Sequence, residues 1–267
     1  MPALVEKKDS FARGSPSLET FGFKFTEGGA HISRTIMLAE LGTLLDAVPR
    51  GSPAAAYQSA ILDDNVLSKS TVSTRQKTLR HLRELYGLDE SIPAFAVLRM
   101  LDDIDPSSRA LLAIQTAWSR DPLLRATTSV IESAHEGEPV DAAMLADAID
   151  QTYSDRYSIL NRAKIARNAA SSWSQSGHLS MGAKKKRRFV RPAAAAATMA
   201  FFFGSAAGYQ GTTAFESPWT RLLDLDEQQA RSAARAAHQS GLLNLQMSGN
   251  IVELTFPTLD TLWSPPS

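Results

Sequence analysis

Apolar side chains return at helical spacing over most of the chain. "HISRTIMLAELGTLLDAV" (31–48), "SPAAAYQSAIL" (52–62), "NVLSKSTVSTRQKTLRHLRELYGL" (65–88), "IPAFAVLRMLDDI", "PSSRALLAIQTAWS", "DPLLRATTSVIESAH" and "DAAMLADAIDQTY" each carry one apolar stripe. Pro, Gly and Asp-Pro pairs punctuate them. Ser73 or Thr74 is expected to cap a helix ending at Gly87, with Leu79, Leu82, Leu85 and Tyr86 as its stripe and Lys77, Arg80 and His81 pointing away. A Ser/Thr-rich turn followed by a basic helix is compatible with helix-turn-helix geometry, and equally with a charged solvent face on a core helix. Residues 1–28 read as a loose Gly/Ser/charge-rich tail in which "FGFKF" could add an edge strand.

The pattern changes after residue 153. "ARNAASSWSQSGHL" (166–179) and "ARSAARAAHQSGLL" (230–243) match at eight positions when offset by sixty-four residues. Each is a helix stopped by Gly, followed by a stretch closed by Pro. In the second copy "SGN" predicts a turn and "IVELTF" a strand. Helix, Gly stop, hairpin is the order of a winged helix. The fold class expected is therefore mainly α: a helical bundle over 29–153 with a helix-turn-helix-like segment, then a winged-helix-like region over 154–267 made of two helix-plus-hairpin units. Between the copies, "AAAAATMAFFF" (193–203) is apolar throughout but shorter than the roughly 20 residues of a membrane span, so a buried helix is expected.

Projected at 100° per residue, the first copy's helix has an apolar face of Ile165, Ala166, Ala169, Ala170 and Trp173, with Trp173 as core anchor. Its opposite face carries Lys164, Arg167, Asn168, Ser171 and Gln175, side chains that reach phosphates and base edges. The second helix begins "DLDE" and its hairpin carries Glu253, which fits packing or partner contact better than DNA reading.

Composition sharpens this picture. The 267 residues hold 28 basic and 28 acidic side chains, a net charge of zero. Yet Arg156 to Arg191 holds ten Lys/Arg and no Asp/Glu, flanked by acidic segments. Local charge, not the total, attracts nucleic acid. The bland reading, a solvated run or localisation signal, covers "KKKRR" but not the whole acid-free stretch. The candidate DNA-binding residues are Arg75, Lys77 and Arg80 in the N-terminal half. On the first copy's helix they are Arg162, Lys164, Arg167, Asn168 and Ser171. In the wing they are Lys184, Lys185, Lys186, Arg187, Arg188 and Arg191.

There is no cysteine, so thiolate metal sites are excluded and a cytoplasmic setting is expected. The opening "MPALVEKKDSFARGSPS" has no apolar signal run. No phosphate-binding glycine loop with Lys-Ser/Thr occurs, "GSAAGYQG" lacks fingerprint spacing, and the five histidines lack metal-ligand spacing. No cofactor, no metal and no catalytic residue is expected.

The order "GGAHISRTIMLAELGTLL", "NVLSKSTVSTRQKTLRHLRELY", "DPLLR", "SPWTRLLDLD", "SGLL" resembles the BrxA family of BREX phage-defence systems over about residues 29–256. The resemblance implies a non-enzymatic, mostly helical accessory protein that binds double-stranded DNA beside a methyltransferase, an ATPase and a phosphatase-like protein. Ser70, Ser73, Thr74, Arg75 and Arg80 carry it in the first motif, Ser240–Leu243 in the last. "KKKRR" and the Ala run are peculiar to this chain. The alternative is a protein-interaction scaffold whose basic wing binds an acidic partner.

Overall fold

A computed structural model of the protein describes residues 16–248 and 251–263. The fold is mainly α with one small antiparallel hairpin. Helix α1 (Pro16–Phe21) opens the described chain. It is followed by α2 (Leu38–Ala47), α3 (Ala54–Leu62), α4 (Val72–Tyr86), α5 (Pro93–Ile104) and α6 (Arg109–Arg120). Next come the short α7 (Pro122–Arg125) and α8 (Thr128–Ser133), then α9 (Ala142–Thr152) and the long α10 (Ile159–Gln175). Helix α11 (Ala194–Ala206), α12 (Pro218–Leu222) and α13 (Glu227–Gln239) lead to β1 (Asn244–Ser248) and β2 (Ile251–Thr255).

The Ala-Phe run becomes the centre of the molecule. Every residue from Ala195 to Gly204 of α11 is buried. A helix that is apolar all round must be covered all round, and α5, α6, α12 and α13 pack against it. Small Ala side chains let backbones approach closely, while Phe201, Phe202 and Phe203 fill the remaining space. Phe203 meets Phe21 edge-on at 5.3 Å, and Trp219 stacks on Phe23 at 5.1 Å. Trp219 also meets Trp118 edge-on at 5.5 Å and donates from Nε1 to Ser119 Oγ at 2.9 Å. Among the described residues no helix is long and apolar enough to cross a membrane.

These contacts correct two expectations about the N-terminus. Phe21 and Phe23 of "FGFKF" are buried core residues at the end of α1, not an edge strand. Leu18, Phe21 and Phe23, within the segment expected as a loose tail, are therefore packed, and residues 1–15 lie outside the described residues. The boundary expected at 153/154 falls in the turn between α9 and α10, and a single buried cluster continues across it from Leu18 to Leu259.

Helix α4 ends at Gly87 (φ 95°) as expected, with Leu79, Leu82, Leu85 and Tyr86 buried. Its cap is Thr71, whose hydroxyl accepts from Thr74 N–H at 3.1 Å, not Ser73 or Thr74. His81 faces inward, with Ser33 Oγ 3.3 Å from its Nε2. Between Leu62 and Val72 lie nine residues, Asp63 to Thr71. That is longer than the three or four of a helix-turn-helix connection. Asn65 Oδ1 accepts from Lys69 N–H at 2.8 Å and gives this longer loop its own internal turn.

The two helix-plus-hairpin units differ. In the second, a reciprocal capping box between Asp226 and Gln229 starts α13 and Gly241 (φ 71°) ends it. Strands β1 and β2 then pair with Asn244 opposite Thr255 and Met247 opposite Val252. The turn expected at "SGN" is only partly visible: Gly249 and Asn250 lie outside the described residues. In the first unit Gly177 (φ 91°) ends α10, but no regular hairpin follows. Residues 185–188 instead run between two extended neighbours. On one side Ser180 N–H donates to Lys186 O and Arg188 N–H to His178 O; on the other Val140 N–H donates to Lys185 O and Arg187 N–H to Glu138 O.

Trp173 is fully buried, on the face projected for it, and its Nε1 donates to Thr127 Oγ1 at 2.9 Å. Trp173→Ala is expected to cost about 3–5 kcal/mol, as for other large aromatic truncations. Urea unfolding followed by circular dichroism checks this. A variant as stable as the parent would remove Trp173 from the core.

Candidate nucleic-acid interface

The wing segment 184–191 is extended, so successive side chains face opposite ways. Lys184, Lys186 and Arg188 are exposed, whereas Arg187 between them is 2% exposed. The Arg187 guanidinium pairs with Asp224, and its Nε donates to Ile131 O at 2.8 Å. Its Nη1 reaches Arg188 O at 2.6 Å, and the Phe189 ring lies 4.9 Å away. Asp224 also accepts from Val190 N–H at 2.8 Å. Arg187, expected to contact DNA, is thus a rivet that fastens the wing to the turn after α12. Lys185 is half-buried, with Nζ donating to Ser174 Oγ at 2.7 Å, and burial lowers its pKa.

The polar face of α10 is also largely spent on internal contacts. Asn168 Nδ2 donates to His31 O at 2.9 Å. Gln175 Oε1 accepts from Leu38 N–H at 3.1 Å, and its Nε2 donates to Ser171 Oγ at 3.3 Å. This face is free of acids because it docks the backbone of residues 31–38, whose N–H and C=O groups need neutral partners. Asn168 and Ser171 are therefore not placed as base readers. Arg162 is tied to Asp150. In the N-terminal half the Arg75 guanidinium is turned to Leu62 O, while Lys77 and Arg80 are exposed on α4.

What remains is a coherent set. Lys164 and Arg167 stand one turn apart on the exposed side of α10. Arg167 and Lys184–Lys186 line the same groove, of about 570 Å³, over a floor that includes Val140, Ala142 and Ala170. Arg188 and Arg191, further along the same segment, are also exposed. Among the described residues none of Lys164, Arg167, Lys184, Lys186, Arg188 or Arg191 is in an ion pair. The surroundings are less basic than the sequence implied, because the neighbouring strand carries Glu136 and Glu138, and Asp141 lies on the groove.

The sequence also hid a Ser-His-Asp constellation. His31 Nδ1 donates to Asp121 Oδ2 at 2.7 Å, and His31 Nε2 lies 2.8 Å from Ser172 Oγ. His31 N–H also donates to Asp121 Oδ2, at 3.1 Å. The three are 0%, 1% and 0% exposed. Ser172 Oγ lies 2.9 Å from Asn168 O and accepts from Ile36 N–H at 3.0 Å. A nucleophile needs access to a reacting atom; this serine is fully buried. The trio is a polar joint between the 30–36 segment, the start of α7 and the middle of α10. Burial would raise the Asp121 carboxyl, but its ion pair and hydrogen bonds with His31 and the Leu124 N–H hold it below the usual carboxylate range. Among the described residues no group of three or more His, Asp or Glu is arranged to hold a metal ion.

No protein-family model matches the chain, and no curated protein sequence matches it significantly.

Two predictions follow from the buried wing supports. Arg187→Ala leaves the mostly covered Asp224 carboxylate without its guanidinium partner and empties a buried site, and is expected to cost about 3 kcal/mol, whereas Lys186→Ala on the exposed side should change stability by less than about 0.5 kcal/mol. Equal unfolding midpoints for the two variants would contradict the rivet. His178 is fully buried, with Nε2 2.7 Å from Leu222 O, and desolvation pushes its pKa down to about 4 from 6.5. The unfolded chain therefore takes up this proton first, and stability is lost as pH falls from 6.5 towards 4, by up to about 3 kcal/mol. Unfolding midpoints at several pH values check it; a flat profile across that window would show that His178 is not held neutral.

Proposed function

We propose that this chain is a non-enzymatic, double-stranded DNA-binding accessory protein of a BREX-type phage-defence system. The observation that carries the DNA reading is the convergence of Arg167 with Lys184–Lys186 on one groove. Lys164, Arg188 and Arg191 are further exposed cations on the same helix and segment, without ion pairs among the described residues. Long flexible side chains on a rigid wing and helix face suit phosphates, which position a protein without reading sequence. Base readout has little support, because Asn168 and Gln175 are bonded to the protein's own backbone and Ser171 accepts from the Gln175 side chain. The defence setting, with a methyltransferase and an ATPase as further partners in the cytoplasm, rests on the family resemblance alone.

A second reading has its own observation. Met181 is 75% and Phe189 53% exposed beside the wing, and apolar side chains next to cations suit an acidic protein segment.

Binding to a duplex of about thirty base pairs, followed by fluorescence anisotropy, separates the two. Neutralising four to six phosphates gives a log–log salt slope of about −4 to −5, with little difference among sequences. Changing Lys184, Lys186, Arg188 and Arg191 together to Gln should flatten that slope by about three without unfolding the protein, because Arg187 is left in place. Absence of duplex binding at low salt, or an unchanged slope, would remove the DNA reading and leave the protein-partner one.

A further inference from the structure

Helices α9 and α10 are joined by residues 153–158 and pack on each other as an antiparallel pair. A groove of about 340 Å³ runs between them on the outside, with Ala142, Ala143, Ala146 and Ala163 in its lining. Ile159, 75% exposed, stands at its lip, and Leu160, 81% exposed, follows it. A single exposed apolar side chain is ordinary, but two adjacent ones beside an apolar groove form a patch that water covers at a cost.

The charges on this hairpin are divided by helix. Helix α9 holds Asp147 and Asp150 and no Lys or Arg, whereas α10 holds Arg162, Lys164 and Arg167 and no Asp or Glu. Asp150 and Arg162 pair within the hairpin. Asp147 and Lys164 are exposed, and neither is in an ion pair among the described residues. Leu160, Lys164 and Arg167 follow at i, i+4 and i+7 and form one ridge of α10. Asp150 pairs with Arg162 at one end, and Ala142 shares a groove with Ala170 at the other, so Asp147 lies about level with Lys164.

Such a face complements itself. A twofold axis along the groove lays α9 of each copy over α10 of the other at the same level. Asp147 then meets Lys164 of the second copy, and Ile159 and Leu160 meet the apolar lining of its groove. The perpendicular axis would set α9 on α9 and Asp147 against Asp147. A uniformly charged partner fits less well: a polyanion is repelled by α9 and a polycation by α10. The face is about 16 Å long, at 1.5 Å per residue of α9, and two helices wide. That is smaller than a standard interface, so association is expected to be weak, with Kd of about 1–100 µM.

We infer that the α9–α10 face joins two copies of this chain into a twofold dimer, with Asp147 of each against Lys164 of the other. The inference does not rest on the DNA reading, because Lys184, Lys186, Arg188 and Arg191 lie outside this groove.

Sedimentation velocity from about 1 to 200 µM tests it, and a monomer–dimer equilibrium that weakens as salt rises is expected. Leu160→Glu alters an exposed position and should weaken dimerisation at least about tenfold. Asp147→Lys and Lys164→Asp should each do the same, and combining them should restore the dimer, which a variant that merely misfolds would not. The Gln variant of Lys184, Lys186, Arg188 and Arg191 should dimerise as the parent does. The chain has no cysteine, so the arrangement can be read separately. Oxidising an equal mixture of Asp147→Cys and Lys164→Cys should cross-link the copies, and either variant alone should cross-link far less. A monomer at every concentration would overturn the inference and leave the face to a different protein. A dimer that Leu160→Glu and the single charge reversals leave intact, or cross-linking by either cysteine variant alone as efficient as by the mixture, would overturn it as well.

Discussion

Everything in this fold is arranged around a helix that has no solvent face. Ala195 to Gly204 of α11 are buried without interruption. Such a helix gives no stable surface until other elements surround it, so α5, α6, α12 and α13 are held in place by what they must cover. The same demand draws in the N-terminal Phe21 and Phe23, and it explains why a single core joins the two halves of the chain. Where two halves share a core, neither is expected to unfold alone.

Polar joints complete what the apolar centre cannot. The Asp121–His31–Ser172 trio closes the space between the 30–36 segment, α7 and α10, and Arg187 with Asp224 locks the wing onto the turn after α12. Both are fully bonded, as buried charges must be. Their functional consequence lies at the surface. Once Arg187, Asn168 and Arg162 are committed inward or to Asp150, the cations left outward are Lys164, Arg167, Lys184, Lys186, Arg188 and Arg191. The extended wing and the helix beneath them fix where those charges lie.

Local pattern carried much of the architecture. The apolar face of α10, the Gly stops at Gly87, Gly177 and Gly241, the buried α11 and the β1–β2 hairpin all follow from spacing or turn chemistry over a few residues. Apart from the cap of α4, which is Thr71 and not Ser73 or Thr74, and the nine-residue loop before it, the failures involve long separations. The wing pairs with residues 137–140, which brings Glu136 and Glu138 beside a run that is acid-free only along the chain. His31 reaches Asp121 and Ser172 across sequence separations of 90 and 141 residues. Arg187 could have been suspected: an extended segment alternates, so a run of five basic residues cannot all face water if one side is packed. The absence of Glu and Asp from the polar face of α10 was a true signal, but of internal backbone contacts.

The central claim is that the wing and the exposed edge of α10 form the surface that meets double-stranded DNA. Hydrogen–deuterium exchange with and without duplex tests it most directly, because it reports location as well as binding. The account predicts slower exchange on adding duplex in residues 178–191 and in the part of α10 around Lys164 and Arg167, with α4 unchanged. Protection confined to α4 around Lys77 and Arg80, or no protection while duplex is bound, would contradict it.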